Sequence, residues 1–120
     1  MTNILHINSS LFGEGGKSSQ MANDFIQALR SKLDSSALVS RDLHANPLPH
    51  LDGERFTAFV TPANDRNAAQ KNIVAESDVL INELRDADII VLGIPLYNLG
   101  VPSTFKAYID HIARAGETFR

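Results

Sequence analysis

Hydrophobic and polar positions along the chain predict strand, helix, strand, helix, strand, helix. Segment 3–8 is rich in Ile and Leu and predicts a first strand close to the N-terminus. The unbroken apolar run at 89–92 predicts a third strand that is buried on both faces, because a strand with one solvated face would alternate. A weaker pattern at 37–42 predicts a second strand at an edge of the sheet.

Three segments carry apolar residues at the three- and four-residue spacing of amphipathic helices. Ser18 or Ser19 is expected to cap the first helix, and the second is predicted over 68–85. Ser103 is expected to cap the third helix and Gly116 to end it. The predicted buried residues are Met21, Phe25, Ala28, Leu29 and Leu33 in the first helix, Ile73, Val74, Leu80, Ile81 and Leu84 in the second, and Phe105, Tyr108, Ile109 and Ile112 in the third.

This alternation predicts an α/β fold with a doubly wound parallel sheet, since crossovers of such length are right-handed. Segment 43–67 has three prolines and little periodicity, so we expect a long connection of about 20 residues that covers a ligand. In a flavodoxin-like sheet of order 2-1-3-4-5 the third strand would be central, yet only three strands (order 2-1-3) and about three helices are visible. We therefore expect residues 1–120 to be one flavodoxin-like domain truncated at its C-terminal side; the alternative is a partner chain that completes the sheet.

The composition and net charge of the chain exclude several classes of function. The chain has no cysteine, which excludes disulfides, cysteine zinc sites and thiol redox chemistry, so electron transfer would need a bound cofactor. A net charge of −3 gives no electrostatic case for nucleic acid or an anionic membrane, and no apolar stretch approaches the roughly 18 residues of a membrane span. No basic leader is seen, so the cytoplasm is the expected location. The four histidines lack metal-binding spacing, and no metal site is expected.

Residues 9–19 contain three glycines, four serines and one lysine between the first strand and the first helix. Free N–H groups and the positive end of the helix dipole converge at such a junction, which favours phosphate binding. We predict that Ser10, Gly16, Lys17 and Ser18 bind a terminal phosphate, with Lys17 neutralising its charge. A flexible linker is the alternative for the loop, and a solvated surface lysine is the alternative for Lys17.

A nucleotide P-loop is the less favoured interpretation of this segment. Gly-Lys-Ser is the ending of G-x-x-x-x-G-K-[ST], but the position five residues before Gly16 is Leu11. Asp88 lies before the third strand instead of at its end, where a magnesium-binding acid would be expected. The dinucleotide fingerprint G-x-G-x-x-G is also absent, because residue 18 is a serine.

Tyr97 and Asn98 follow the third strand. A Tyr-Asn pair in this position is often only a turn packed on the core. The loops after the first and third strands lie side by side at the switch point of such a sheet, however. A phosphate in one loop and a flat ring against the other describe one mononucleotide with a large aromatic head, as FMN has.

Several segments together carry a family resemblance. They are Asn8-Ser9-Ser10, Gly16-Lys17-Ser18, Arg41-Asp42-Leu43, Asn46-Pro47-Leu48-Pro49, Leu51-Asp52-Gly53, Pro95-Leu96-Tyr97-Asn98-Leu99, and Ala113-Arg114-Ala115-Gly116 with Thr118-Phe119-Arg120. With these segments the chain resembles the FMN-dependent NADH-azoreductases, flavodoxin-like proteins related to NAD(P)H–quinone reductases. The resemblance extends over all 120 residues.

The resemblance implies that Ser10 and residues 16–18 hold the FMN phosphate and that Phe119 lines an acceptor pocket. The residues that it places along the isoalloxazine ring are Leu96, Tyr97, Asn98 and Leu99. Hydrogen bonds near the ring nitrogens tune a flavin, and the backbone amides of Tyr97 and Asn98 are our candidates for them. Family members continue for most of another half-domain, with a further strand and a glycine-rich loop that also touches the flavin.

The implied activity is that of a homodimeric oxidoreductase. It would move two electrons from NADH or NADPH to a quinone or an azo compound by a ping-pong route. No side chain is assigned a direct catalytic role, because the redox chemistry belongs to the cofactor. The alternative from another class is a non-catalytic flavodoxin-like binding or interaction domain.

Overall fold

A three-stranded parallel sheet organises the fold in the computed structural model, which describes residues 1–120. In chain order the elements are β1 (Thr2–Asn8), α1 (Lys17–Ser31), β2 (Ser36–Asp42), α2 (Gly53–Val60), α3 (Ala68–Asp86), β3 (Ile89–Gly93) and α4 (Ser103–Ile112). The strand order is β2-β1-β3, with both neighbours parallel to β1. This confirms the predicted flavodoxin-like order 2-1-3, including β2 as an edge strand.

The central strand β1 supplies the core on both faces of the sheet. Leu5 and Ile7 point to one face and form a buried cluster with Leu43, Leu80 and Tyr108, so α3 and α4 cover this face. Side chains alternate along a strand, so the alternate residues of β1, among them His6 and Asn8, face α1 on the other side of the sheet. The fold thus buries β1 between two helical layers, as the doubly wound prediction requires.

β3 differs from its prediction. It was expected to be buried on both faces, but Ile90 and Leu92 are 45% and 48% exposed. The reason is its position, since β3 has β1 as its only neighbour and forms an outer edge of the sheet. One row of its backbone groups and half of its apolar surface therefore face outward.

The buried face of α1 also differs from its prediction. Ser19, Ala22 and Ile26 are buried, whereas the predicted Met21 and Phe25 are 73% and 56% exposed. The helix is rotated so that small residues meet the carboxyl end of the sheet, where the two elements approach closely. Apolar spacing alone did not reveal this rotation.

The connection between β2 and α3 contains the additional helix α2, so the structure has four helices, and the prediction of one long irregular connection is wrong. The side chain of Asp52 caps α2 by accepting the backbone N–H of Arg55 at 2.8 Å. Asn67 and Gln70 form a reciprocal capping box that starts α3 next to it. No helix in the structure is both long enough and apolar enough to span a bilayer.

The ends of α4 also correct two predictions. Pro102 occupies the cap position and Ser103 is already helical, without a side-chain cap. Gly116 lies beyond the helix end with a φ of +81°, and its N–H donates to the carbonyl of Phe119 at 2.7 Å. Gly116 therefore opens a separate turn and does not terminate α4, which ends at Ile112.

A buried arginine joins α2, α3 and the end of α4. Nη1 of Arg114 donates to Ser77 Oγ at 3.2 Å and to Asp78 Oδ1 at 2.5 Å. Ser77 Oγ donates in turn to the carbonyl of His111 at 2.5 Å. The guanidinium of Arg114 lies 5.4 Å from the centre of the Phe59 ring on α2. This network holds α2 against the two longer elements.

Tyr108 packs in the core with a hydroxyl that has no hydrogen-bond partner. Burial raises the pKa of Tyr108 to about 12, with Glu83 adding to the rise and Arg41 opposing it. Between the unfolded pKa of about 10 and the folded value, the unfolded chain releases the proton first. The contribution of Tyr108 to stability is therefore complete below pH ~10 and falls as the pH rises towards 12.

At pH 7 we expect the free energy of unfolding of Tyr108→Phe to be equal to that of the wild type or higher by up to about 1 kcal/mol, because the substitution removes an unpaired buried hydroxyl. The variant should also lose less stability than the wild type above pH ~10. Urea unfolding followed by circular dichroism from pH 7 to pH ~11.5 measures both effects. A loss of more than about 2 kcal/mol at pH 7 would contradict the assigned environment of this hydroxyl.

Candidate functional site

A cleft of about 510 Å³ opens where the loops after β1 and β3 meet the first turn of α1. Its lining residues are Ser10, Phe12, Gly15, Gly16, Lys17, Ser18, Met21, Pro95 and Tyr97. This is the carboxyl edge of a parallel sheet, where ligands bind in open α/β folds. The structure thus brings together five of the residues predicted from the sequence. They are Ser10, Gly16, Lys17, Ser18 and Tyr97.

The N-terminus of α1 is uncapped at this cleft. The helix follows Gly16, which has no side chain to serve as a cap, so the prediction of Ser18 or Ser19 as the cap is wrong. The backbone N–H groups of Lys17, Ser18 and Ser19 find no acceptor within the protein. Free amides at the positive end of a helix dipole form a site for an anion.

Two serine hydroxyls add to these amides. Ser18 Oγ is buried and has no hydrogen-bond partner. Ser10 is buried as well, and its Oγ accepts the N–H of Phe12 at 3.2 Å, which leaves the hydroxyl proton free to donate. Since buried polar groups are almost always paired, two unused hydroxyl donors in one cleft indicate a missing acceptor.

Gly16 makes room for this arrangement. A Cβ added there would lie 2.1 Å from Ser10 Oγ and 3.0 Å from Ser10 Cβ. The φ of Gly16 is −71°, which any residue adopts, so space and not backbone conformation requires glycine here. The loop and the first turn of α1 can approach this closely only because residue 16 has no side chain.

A buried polar network connects the loop after β1 to the end of β1 and to α1. Asn8 Oδ1, at the end of β1, accepts the backbone N–H of Ser10 at 3.2 Å and the hydroxyl of Ser19 at 2.9 Å. Ser19 Oγ also lies 2.6 Å from the carbonyl oxygen of Gly13. The sequence analysis missed the roles of Asn8 and Ser19, although polar residues at buried positions of a strand and a helix are the sign of such a network.

The loop after β3 forms a tight turn. Tyr97 and Gly100 exchange two backbone hydrogen bonds, both of 2.9 Å. The central residues Asn98 and Leu99 have φ values of +49° and +65°, as a type I′ turn requires. Leucine rarely adopts this left-handed conformation, which costs roughly 1–2 kcal/mol for a residue with a Cβ. The turn is therefore a strained segment beside the cleft.

The turn corrects one detail of the predicted ring site. The amide N–H of Tyr97 already donates to Gly100, so this group is not free for a ligand in this conformation. The N–H of Asn98 has no acceptor within the protein. Leu96 and Leu99 are exposed, Leu99 to 95%, and neither lines the cleft. Of the four predicted ring residues, the structure places only Tyr97 in the cleft wall.

Phe119 lies apart from this cleft. It borders a separate groove of about 400 Å³ between α2 and the chain that follows α4. The groove is mostly apolar, with Phe56, Phe59 and Val60 on its α2 side. It shares no lining residue with the cleft, so within this chain the structure does not bring Phe119 to the other predicted site residues.

His6 is a buried titratable group on the α1 side of β1. Burial lowers its pKa, and the nearby carboxylate of Asp42 opposes the change. Its Nε2 has no hydrogen-bond partner, and the ring borders a small polar cavity of about 70 Å³ that also touches Asn8. The lowered pKa favours a neutral imidazole at neutral pH, so His6 adds no positive charge near the cleft.

A protein-family profile described as a flavodoxin-like fold matches residues 2–120, and the chain belongs to this family. Its relatives include the FMN-dependent NADH:quinone oxidoreductases of Cellvibrio japonicus (strain Ueda107), 51% identical, and Marinomonas sp. (strain MWYL1), 48% identical. Both matches cover 100% of this chain but only 60% and 61% of the relatives. The chain therefore spans about 60% of the length of these curated relatives.

Among solved structures, the azoreductase from Bacillus anthracis str. Sterne is similar with a TM-score of 0.88 and 27% sequence identity. The similarity covers 100% of this chain and 59% of the azoreductase. Together these comparisons confirm the family resemblance that the sequence motifs indicated.

The Asn8 network yields a testable prediction. We expect Asn8→Ala to lower the free energy of unfolding by about 1–3 kcal/mol, because the N–H of Ser10 loses its buried acceptor, whereas the hydroxyl of Ser19 keeps the carbonyl of Gly13. The exposed Asn23 on α1 provides a matched control, and Asn23→Ala should change stability by less than about 0.5 kcal/mol. Urea unfolding of both variants compares them directly; equal stability would contradict the role assigned to Asn8.

Proposed function

We propose that this chain is part of a flavodoxin-like oxidoreductase that binds FMN in the cleft and transfers two electrons from NADH to a quinone. The observation that carries the proposal is the uncapped N-terminus of α1 with the free hydroxyl protons of Ser10 and Ser18, next to an aromatic wall. The names of the relatives, FMN-dependent NADH:quinone oxidoreductases, support the same cofactor and electron donor.

The residues of the anion site fit the phosphate of FMN. A phosphomonoester offers several acceptor oxygens, and the cleft offers the hydroxyls of Ser10 and Ser18 and free N–H groups in the first turn of α1. Gly16 lets the loop and the first turn of α1 approach closely, and Lys17 is exposed at the same cleft to supply positive charge. These are the phosphate ligands that we propose.

The loop after β3 is the proposed edge of the flavin ring. Tyr97 lines the cleft, and the free N–H of Asn98 is available for a hydrogen bond to the ring. Leu96 and Leu99 would form an apolar rim, since both are exposed beside the turn. FMN, when bound, supplies the hydride and electron chemistry, and the chain contributes binding, orientation and hydrogen bonds.

Further properties of the proposed enzyme are those that the sequence resemblance implies. We propose a cytoplasmic homodimer that works by a ping-pong route, accepts azo compounds besides quinones, and uses NADH or NADPH. The groove that contains Phe119 would take part in acceptor binding only where a second copy brings it to the cleft. The unpaired edge of β3 and the 60% coverage of the relatives support a chain that is the N-terminal part of such an enzyme.

Flavin titration of the purified 120-residue chain tests the proposal. We expect added FMN to bind with quenching of its fluorescence, and NADH to bleach the visible flavin band of the complex under anaerobic conditions. ATP with Mg²⁺, the ligand of the less favoured P-loop interpretation, should not compete. A chain that gains no flavin would favour a non-catalytic binding domain. If FMN binds but NADH does not bleach the flavin band, the proposed cofactor is correct and the proposed electron transfer from NADH is wrong for this chain.

A second test concerns the phosphate loop. Gly16→Ala should weaken FMN binding by about tenfold or more, because the new methyl group collides with Ser10 Oγ and displaces this hydroxyl. Gly53→Ala at the start of α2 is the matched control, since a Cβ there has no neighbouring atom within 4 Å. Isothermal titration with FMN compares the two variants. Unchanged affinity in Gly16→Ala would argue against this loop as the phosphate site.

A further inference from the structure

One side-chain hydrogen bond joins the two loops of the cleft. The phenol oxygen of Tyr97 accepts the backbone N–H of Leu11 at 3.2 Å. No other hydrogen bond in the structure connects residues 10–16 to residues 94–102. The hydroxyl of Tyr97 is therefore the polar link between the loop that carries the anion site and the strained turn.

Each end of this link is held by further contacts. On one side, the two hydrogen bonds between Tyr97 and Gly100 fix the backbone from which the phenol projects. On the other side, Leu11 directly follows Ser10, whose N–H is bound by Asn8. The Leu11 amide is thus the group through which Tyr97 acts on the backbone beside the Ser10 hydroxyl.

We propose that Tyr97 is a positioning residue whose hydroxyl holds the phosphate loop in its binding conformation. In this role the phenol sets the place of the Ser10 hydroxyl through Leu11, so the ring site and the phosphate site are organised as one unit. The inference rests on the proposed function and deepens it. It assigns the Tyr97 hydroxyl to phosphate recognition, whereas the aromatic ring alone faces the flavin.

Two flavins separate this role from a direct contact with the ring. Riboflavin has the same isoalloxazine ring as FMN but no phosphate. Tyr97→Phe should weaken FMN binding by about fivefold to tenfold, the usual effect of one hydrogen bond. Riboflavin binding should change by less than about twofold. The loss of the Tyr97 hydroxyl acts only through the phosphate site, and riboflavin has no phosphate to bind there.

The chain contains one other tyrosine, which provides a matched control. Tyr108→Phe also removes a single hydroxyl, but that group lies in the core without a partner. This variant should bind FMN and riboflavin as the wild type does. Fluorescence titration of the three proteins with both flavins gives the complete comparison.

A second measurement needs no ligand. In the flavin-free chain, amide hydrogen exchange followed by NMR should show faster exchange of the Leu11 N–H in Tyr97→Phe, by about fivefold or more, because its acceptor has been removed. Tyr108→Phe should leave the exchange rate of Leu11 unchanged. Exchange in the cores of both variants reports whether they are folded as the wild type is.

The outcomes distinguish the inference from the proposed function. If Tyr97→Phe weakens FMN and riboflavin equally, the hydroxyl acts on the ring and the inference is wrong. If FMN binding and Leu11 exchange are both unchanged, the link has no effect and the inference is again wrong. A wild-type chain that binds neither flavin refutes the proposed function itself, and the inference fails with it.

Discussion

The close approach of α1 to the carboxyl end of β1 is the constraint on which the site depends. Gly16 lies where any side chain would collide with Ser10, and Asn8 Oδ1 lies within hydrogen-bond distance of both the N–H of Ser10 and the hydroxyl of Ser19. Because these groups are buried, a polar atom that lost its hydrogen bond would stay unpaired and away from water, which would lower the stability of the fold. The first turn of α1, and not its apolar stripe, therefore determines where the helix lies.

This constraint explains the exposed apolar surface. With Ser19 and Ala22 fixed against the sheet, the helical repeat carries Met21 and Phe25 outward. The outer edge of β3 adds further half-exposed aliphatic side chains on the opposite face of the sheet. The unpaired edge of β3 is a surface with which a further strand can pair, in agreement with the proposal of a longer enzyme.

The sequence predicted the strands, their order and the three longer helices, because apolar runs and helical spacing report burial directly. It predicted the wrong face of α1 because Met21 and Phe25 have the same four-residue spacing as the buried Ala22 and Ile26. Hydrophobicity cannot show that a serine is needed at the contact. α2 was missed because eight residues give barely two turns of periodicity, and only the capping residue Asp52 marked its start.

In the site, too, the sequence predicted residue types but not the backbone conformation. Glycine, serine and lysine at the end of a strand predicted the phosphate loop. Asparagine tolerates the left-handed region, but nothing in the identity of Leu99 indicates that it joins Asn98 there. That conformation consumes the Tyr97 amide and presents the Asn98 amide in its place. A strained turn persists only where its surroundings over-determine it, here through the bonds of Tyr97 to Gly100 and Leu11. Because hydrogen bonds within the chain itself close the turn, the proposed binding of a flat ring against it would not carry the entropic cost of ordering a loop.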